Sequence, residues 1–158
     1  MTIYHALQTN LDLWSTARAW KLKLNGIYAR NRMPKVLHQG AYILNLDTSR
    51  GPGTHWTCFY IERNEAVYFD PFGVVPPQEL VVALKGYKTI YNTMDIQALD
   101  TGGCGYYCLL FLWWMSRHRF ASLSDRLKAF QHLWHHHVSL NLPELKYWIE
   151  DIPTLLKD

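Results

Sequence analysis

The chain has 158 residues, of which 49% are hydrophobic, 15% aromatic and 18% charged, with seven Trp and ten Tyr. That length suits one core of roughly 100–200 residues, so residues 1–158 are read as a single domain, and the composition excludes a disordered tail, a collagen-like rod and a charged coiled coil. Sixteen Lys and Arg against thirteen Asp and Glu leave a formal charge of +3, too mild a balance to argue for a dedicated nucleic-acid binder.

Three cysteines are an odd number, which points to free thiols in a reducing compartment rather than to a secreted disulfide framework. The N-terminal stretch MTIYHALQTNLDLW lacks the basic and long apolar regions of a signal peptide. The longest apolar run, Tyr106 to Met115, is about half of the ~20 residues that cross a bilayer. A soluble protein without membrane association is expected.

In chain order, Leu11, Trp14, Ala17 or Arg18, and Leu22 recur at helical spacing over residues 10–24, with Gly26 as a stop, and predict a first helix. Ala41–Leu46 reads as a strand, and turn formers crowd the stretch from Asp47 to Gly53. His55–Glu62 and Glu65–Asp70 are rich in aromatic and β-branched residues and are separated by Arg63–Asn64, the pattern of an antiparallel hairpin with a two-residue turn. A short helix is expected over Gln78–Leu84 and a strand over Thr89–Tyr91. In the segment that begins at Cys104, the chain is apolar on every face over Tyr106–Met115, as in a helix buried inside a domain. Ser122 with Asp125 marks the start of an amphipathic helix running to about His135, with Leu123, Leu127, Phe130 and Trp134 on one stripe. Pro143 opens a last short helix, PELKYWIED. The expected fold is α+β: a small antiparallel or mixed sheet packed against several helices, with a central buried helix that carries Cys104 at its N-terminus.

A symmetric turn at Arg63–Asn64 sets Thr57 opposite Asp70. Period-two alternation then makes Asp70 the diagonal neighbour of His55, roughly 7–8 Å away between backbones and within side-chain reach. An Asp that accepts from one ring nitrogen fixes the tautomer of an imidazole and leaves the other nitrogen to serve a nucleophile. Cys104 is the candidate nucleophile: it follows Thr101–Gly102–Gly103 and opens the apolar helix, where free N–H groups and the helix dipole favour a thiolate. Gly103 before it permits close approach of a substrate backbone. Gln97, upstream, is a candidate oxyanion donor together with the Cys104 N–H. Other residues draw plainer readings. Cys58 and Cys108 are expected in the core; His132, His135, His136 and His137 belong to a helix end rather than a metal site; and Arg117, His118 and Arg119 form a solvated helix end.

Gly53–Thr54–His55–Trp56, Asp70–Pro71–Phe72–Gly73 and Gln97 with Cys104–Gly105 resemble the motifs of the adenain family. These are the adenovirus maturation proteases and their relatives among virophages and other large-DNA-virus parasites. The stretch Asn25–Pro34 (NGIYARNRMP) is similar to a segment preceding the first strand of that family, and the order His, acid, Gln, Cys is shared with the proteases that process ubiquitin-like modifiers. The resemblance implies an adenain-like cysteine protease fold, with Cys104 as nucleophile, His55 as its base, Asp70 orienting His55 and Gln97 lining the oxyanion hole. It also implies that Trp56, with Gly53 and Gly103 on the substrate side, shapes a narrow tunnel favouring Gly near the cleaved bond. Capsid precursor polypeptides would be the substrates, cut at Gly-containing small-residue sites in the virion and the host cytoplasm. No metal and no cofactor are expected. Gly86–Met94 (GYKTIYNTM) contains no cysteine, which speaks against a disulfide-linked activating peptide, and the charge of +3 gives DNA little support as a partner. Two alternatives stand beside this reading: a protease removing ubiquitin-like modifiers, and a non-enzymatic virion or nucleic-acid-associated protein.

Overall fold

The computed structural model describes residues 8–47, 55–98 and 102–156. Five strands form one sheet in chain order: β1 (Leu24–Ala29), β2 (Gly40–Asn45), β3 (Trp56–Glu62), β4 (Glu65–Phe69) and β5 (Lys88–Tyr91). The sheet is mixed: β1–β2 and β4–β5 are parallel, β2–β3 and β3–β4 antiparallel. Cys58 faces Phe69 and Glu62 faces Glu65, the register that a symmetric turn at Arg63–Asn64 imposes.

Alternate residues of the central strands enter two apolar layers. Ile43, Trp56, Cys58, Tyr60, Val67 and Phe69 point into the larger one, built with the helices α1 (Asn10–Ala19), α3 (Cys104–Arg117), α4 (Leu123–Gln131) and α5 (Asn141–Leu155). Tyr42, Leu44, Phe59, Ile61 and Tyr68 point the other way, where Leu80 of α2 (Gln78–Ala83) covers them. Burial on both faces explains why β3 reads as a nearly unbroken apolar run. Helix α3 lies within the larger layer, with Phe111 stacked on Phe69 at 4.5 Å and edge-on to Phe130 of α4. This is an α+β fold with a central buried helix.

Several local expectations are corrected. The first helix ends at Ala19, and its buried face is Leu13, Thr16 and Ala17, continued by Trp20, while Leu11 and Trp14 are exposed. Its start is set by a capping box in which Thr9 and Asp12 exchange side-chain-to-backbone bonds. Residues that sequence reading gave to the end of that helix and the loop after it instead form β1, whose pairing with β2 is irregular between Leu24 and Gly26. Helix α4 begins, as expected, with Ser122 accepting from the Asp125 N–H, but stops at Gln131. Helix α5 starts at Asn141, ahead of Pro143, and continues to Leu155. A proline in the first turn is tolerated there because its missing N–H has no intrahelical partner in any case. No described helix is long and apolar enough to cross a membrane.

Candidate active site

The sheet and the buried helix deliver three chemical groups to one point. His55 lies immediately before β3, Asp70 immediately after β4, and Cys104 is the first residue of α3. Pairing of β3 with β4 fixes the first two relative to each other. Packing of α3 across β3 brings in the third.

His55 Nε2 meets Asp70 Oδ1 at 2.8 Å, with the Asp70 side chain fully buried and that of His55 15% exposed. The same Oδ1 accepts the Phe72 N–H at 2.8 Å, and the Gly73 N–H donates to the Asp70 carbonyl at 2.8 Å. The Asp-Pro-Phe-Gly sequence is therefore a turn folded around its own aspartate. It also returns the Phe72 ring onto the imidazole, stacked at 4.5 Å between centroids. The Cys104 side chain lies near enough to the imidazole to help raise its pKa. Because Nε2 is committed to Asp70, Nδ1 is the nitrogen left for sulfur. Burial taken alone lowers the pKa of His55, but the hydrogen bonds and charges of Asp70 and Cys104 outweigh it and push it up to about 9. The ring is thus an imidazolium at neutral pH, a proton donor held between a carboxylate and a sulfur.

Cys104 follows Gly103, the N-cap of α3, whose φ of +96° lies in the left-handed region. The Trp56 N–H points at Sγ, 3.4 Å away. Gln8 closes the arrangement from the start of the described chain. Its Oε1 accepts the Gly105 N–H at 2.8 Å, and its carbonyl accepts the Trp56 indole N–H at 3.0 Å. The approach is close enough that a Cβ on Gly105 would stand 2.7 Å from that Oε1. Gln8 thus ties the first turn of α3 to the strand that carries His55, using one of the unpaired N–H groups of the helix start.

Gln97 is buried, and its Nε2 donates to the Gly102 carbonyl at 3.1 Å, at the entry to α3. Among the residues singled out from sequence, the fold pairs His55 with Asp70, sets Cys104 near the same imidazole and places Gln97 against the residues leading to Cys104. Trp56 is buried in the larger core, with its backbone against the sulfur. Gly103 is buried at the helix start, where its backbone conformation already favours glycine. Gly53 lies outside the described residues. Cys58 and Cys108 are buried beneath the site, and burial raises both thiols. Among the described residues no group of three or more His, Cys, Asp or Glu side chains is arranged to hold a metal ion. Sequence reading missed Gln8, which carried no signal, and gave no role to Phe72, although the hairpin register sets it opposite His55.

Chemically, the site holds a thiol at a helix N-terminus, an imidazolium able to give and take a proton, and a buried carboxylate paired with it. Comparison with known proteins finds no matching family model and no matching curated protein. Among solved structures, the chain is similar to the selenomethionine crystal structure of the ASFV pS273R protease, with a TM-score of 0.40 and 22% identity. The likeness covers 55% of this chain and 38% of that one, so it spans well under half the length of that protease.

Proposed function

We propose that this protein is a cysteine endopeptidase, on the strength of one observation: the His55 imidazole is held between Asp70 at 2.8 Å and the thiol that opens the buried helix. The Cys104 sulfur attacks the carbonyl carbon of the scissile peptide. The oxyanion that forms is met by the Cys104 N–H and by the Gln97 amide once it turns from Gly102. His55 passes its Nδ1 proton to the leaving nitrogen, the C–N bond breaks, and the N-terminal half of the substrate stays as a thioester on Cys104. Water then attacks the thioester and gives its proton to His55, releasing a carboxylic acid and regenerating the site.

The motifs around His55, Asp70 and Cys104 support a narrower reading, a viral maturation protease of the adenain type acting on capsid precursors at Gly-containing sites. Trp56 and the glycines at 53 and 103 would line the substrate path. The test uses the purified chain, a panel of short Gly-containing peptides, a modifier-fusion substrate, and a Gly-aldehyde probe read by intact mass. Cleavage of the peptides, one adduct on Cys104, and loss of both turnover and adduct in Cys104→Ala are the expected results. Preference for the modifier fusion reassigns the substrate. No adduct and no cleavage, or unchanged cleavage in Cys104→Ala, overturns the enzyme.

A further inference from the structure

The reacting groups sit at the ends of separate elements, so something must hold those ends in register. Two asparagines, Asn92 and Asn141, are fully buried, and a buried primary amide is costly unless its polar atoms are matched. Both are matched, and both act on the short segment that runs from β5 to Gln97.

Asn92 stands directly after β5, where the β4–β5 ladder has ended at the pair Tyr68 and Tyr91. Its side chain continues the ladder. Oδ1 accepts the Asp70 N–H at 2.9 Å, and Nδ2 donates to the Asp70 carbonyl at 2.7 Å and to the Met94 carbonyl at 3.1 Å. The backbone of Asp70 is therefore gripped on both its donor and its acceptor. The turn after Asp70 holds the same segment farther along, since the Pro71 carbonyl accepts the Ile96 N–H at 2.9 Å and the Gln97 N–H at 3.1 Å. Gly73, at φ +73°, lies so near that a Cβ would stand 2.8 Å from the Thr93 carbonyl. Asn141 reaches the segment from the first turn of α5. Its Nδ2 donates to the Ile96 carbonyl at 2.8 Å and to the His135 carbonyl at 3.2 Å, while Oδ1 accepts the His135 N–H at 2.8 Å.

We propose that Asn92 and Asn141 are positioning residues that fasten the acid turn and the Gln97 segment into one unit, Asn92 setting Asp70 against His55 and Asn141 setting Gln97 beside the entry to the nucleophile helix. Where it concerns turnover, the inference rests on the protease reading given above. It assigns work to the C-terminal third of the chain, which carries no motif.

Kinetics and titration separate this from mere loop-holding. Asn141→Ala lowers kcat about 10- to 100-fold, as displacement of an aligned group by about 1 Å does, with KM little changed. In a Gln97→Ala background the same substitution has almost no further effect, because the group it positions is gone. Equal losses in both backgrounds would overturn the role. Asn141→Asp is the second variant: it keeps the acceptor for the His135 N–H, loses the donor to Ile96, and repeats the kcat loss.

Asn92 is read at the ring it serves indirectly. The titratable groups facing His55 are Asp70 and Cys104, so the His55 titration is followed by NMR in a Cys104→Ala parent. Asn92→Ser or Asn92→Ala moves the midpoint down by about one pH unit as the Asp70 pairing loosens, and Asn141→Ala leaves it in place. Superimposable curves for the Asn92 variants refute the clamp. If the unmutated chain neither cleaves nor labels, the protease reading fails on its own, while the titration still decides whether Asn92 positions Asp70.

Discussion

Replacing Asp70 by Asn keeps the shape of the acid and removes its charge. Oδ1 of the amide still accepts from His55 and from the Phe72 N–H, while the new Nδ2 takes the place of Oδ2, a buried atom without a hydrogen-bond partner among the described residues. In the parent protein burial works against the charged ring, yet Asp70 and Cys104 carry its pKa from 6.5 up to about 9. At about 1.4 kcal/mol per pH unit, that span is on the order of 3 kcal/mol in favour of the imidazolium in the folded state. The sign follows from linkage. A folded-state pKa above the unfolded one contributes stability that is fully present below about 6.5 and is lost as pH rises through about 9. With the carboxylate gone, burial has less to oppose it and the ring titrates nearer its unfolded value. Urea denaturation of parent and Asp70→Asn at intervals from pH 6 to pH 10 is the assay, because other titrating groups cancel in the difference between the two proteins. The stability gap is widest near pH 6 and narrows above pH 9 by the share of those roughly 3 kcal/mol that Asp70 supplies, Cys104 keeping the remainder. A gap constant across that range would show that Asp70 is not what holds the ring charged.

Gln97→Ala raises the barrier to turnover by about 2.7–4 kcal/mol if its amide serves the oxyanion; a loss of tenfold or less in kcat makes it a packing residue. Gly105→Ala pushes a methyl toward Leu13 Cδ2, 2.6 Å from the ideal Cβ, and toward Gln8 Oε1. It destabilises by about 1–3 kcal/mol, seen as a lowered Tm, and an unchanged Tm would show that the approach of α1 and Gln8 to α3 is loose. Arg126, with a side chain 1% exposed, bonds Glu62 at 2.7 Å and the carbonyls of Met115 and Ala121. Arg126→Met leaves those partners unmatched and costs about 3–5 kcal/mol in urea denaturation, while the pH dependence of His55, set by different groups, stays as in the parent.

What could be read from the sequence and what could not divide along physical lines. The β3–β4 hairpin was legible because a two-residue turn and period-two alternation determine register locally, and register alone carries Asp70 to His55. The buried helix was legible from an apolar surface on every side. Strand β1 was not, because Asn25 and Gly26 are poor strand residues and its pairing arises only against β2, about sixteen residues away in sequence. The face of α1 was misassigned because Leu11 and Trp14 fit a helical stripe as well as Leu13, Ala17 and Trp20 do. The core selects the second stripe, and the Thr9–Asp12 capping signal sets only where the helix begins.

The same division runs through the site. His55, Asp70 and Cys104 announce themselves because their chemistry requires particular residue types beside turns, glycines and helix starts. Gln8, Asn92 and Asn141 look in sequence like ordinary polar residues at element ends, and their meaning comes from partners in other elements: Gly105 and Trp56 for Gln8, Asp70 for Asn92, Ile96 for Asn141. An imidazole trapped between acid and sulfur is useful only if neither drifts, since a displacement of about 1 Å can cost on the order of a hundredfold in rate. A small sheet with its reacting groups on loops cannot supply that rigidity by strand pairing alone, because the β4–β5 ladder has ended at Tyr68 and Tyr91, before Asp70. Buried amides supply it instead, Asn92 by imitating strand pairing beyond the end of β5 and Asn141 by tying the Gln97 segment to the start of α5, which is why inconspicuous polar residues lie among those that constrain the site.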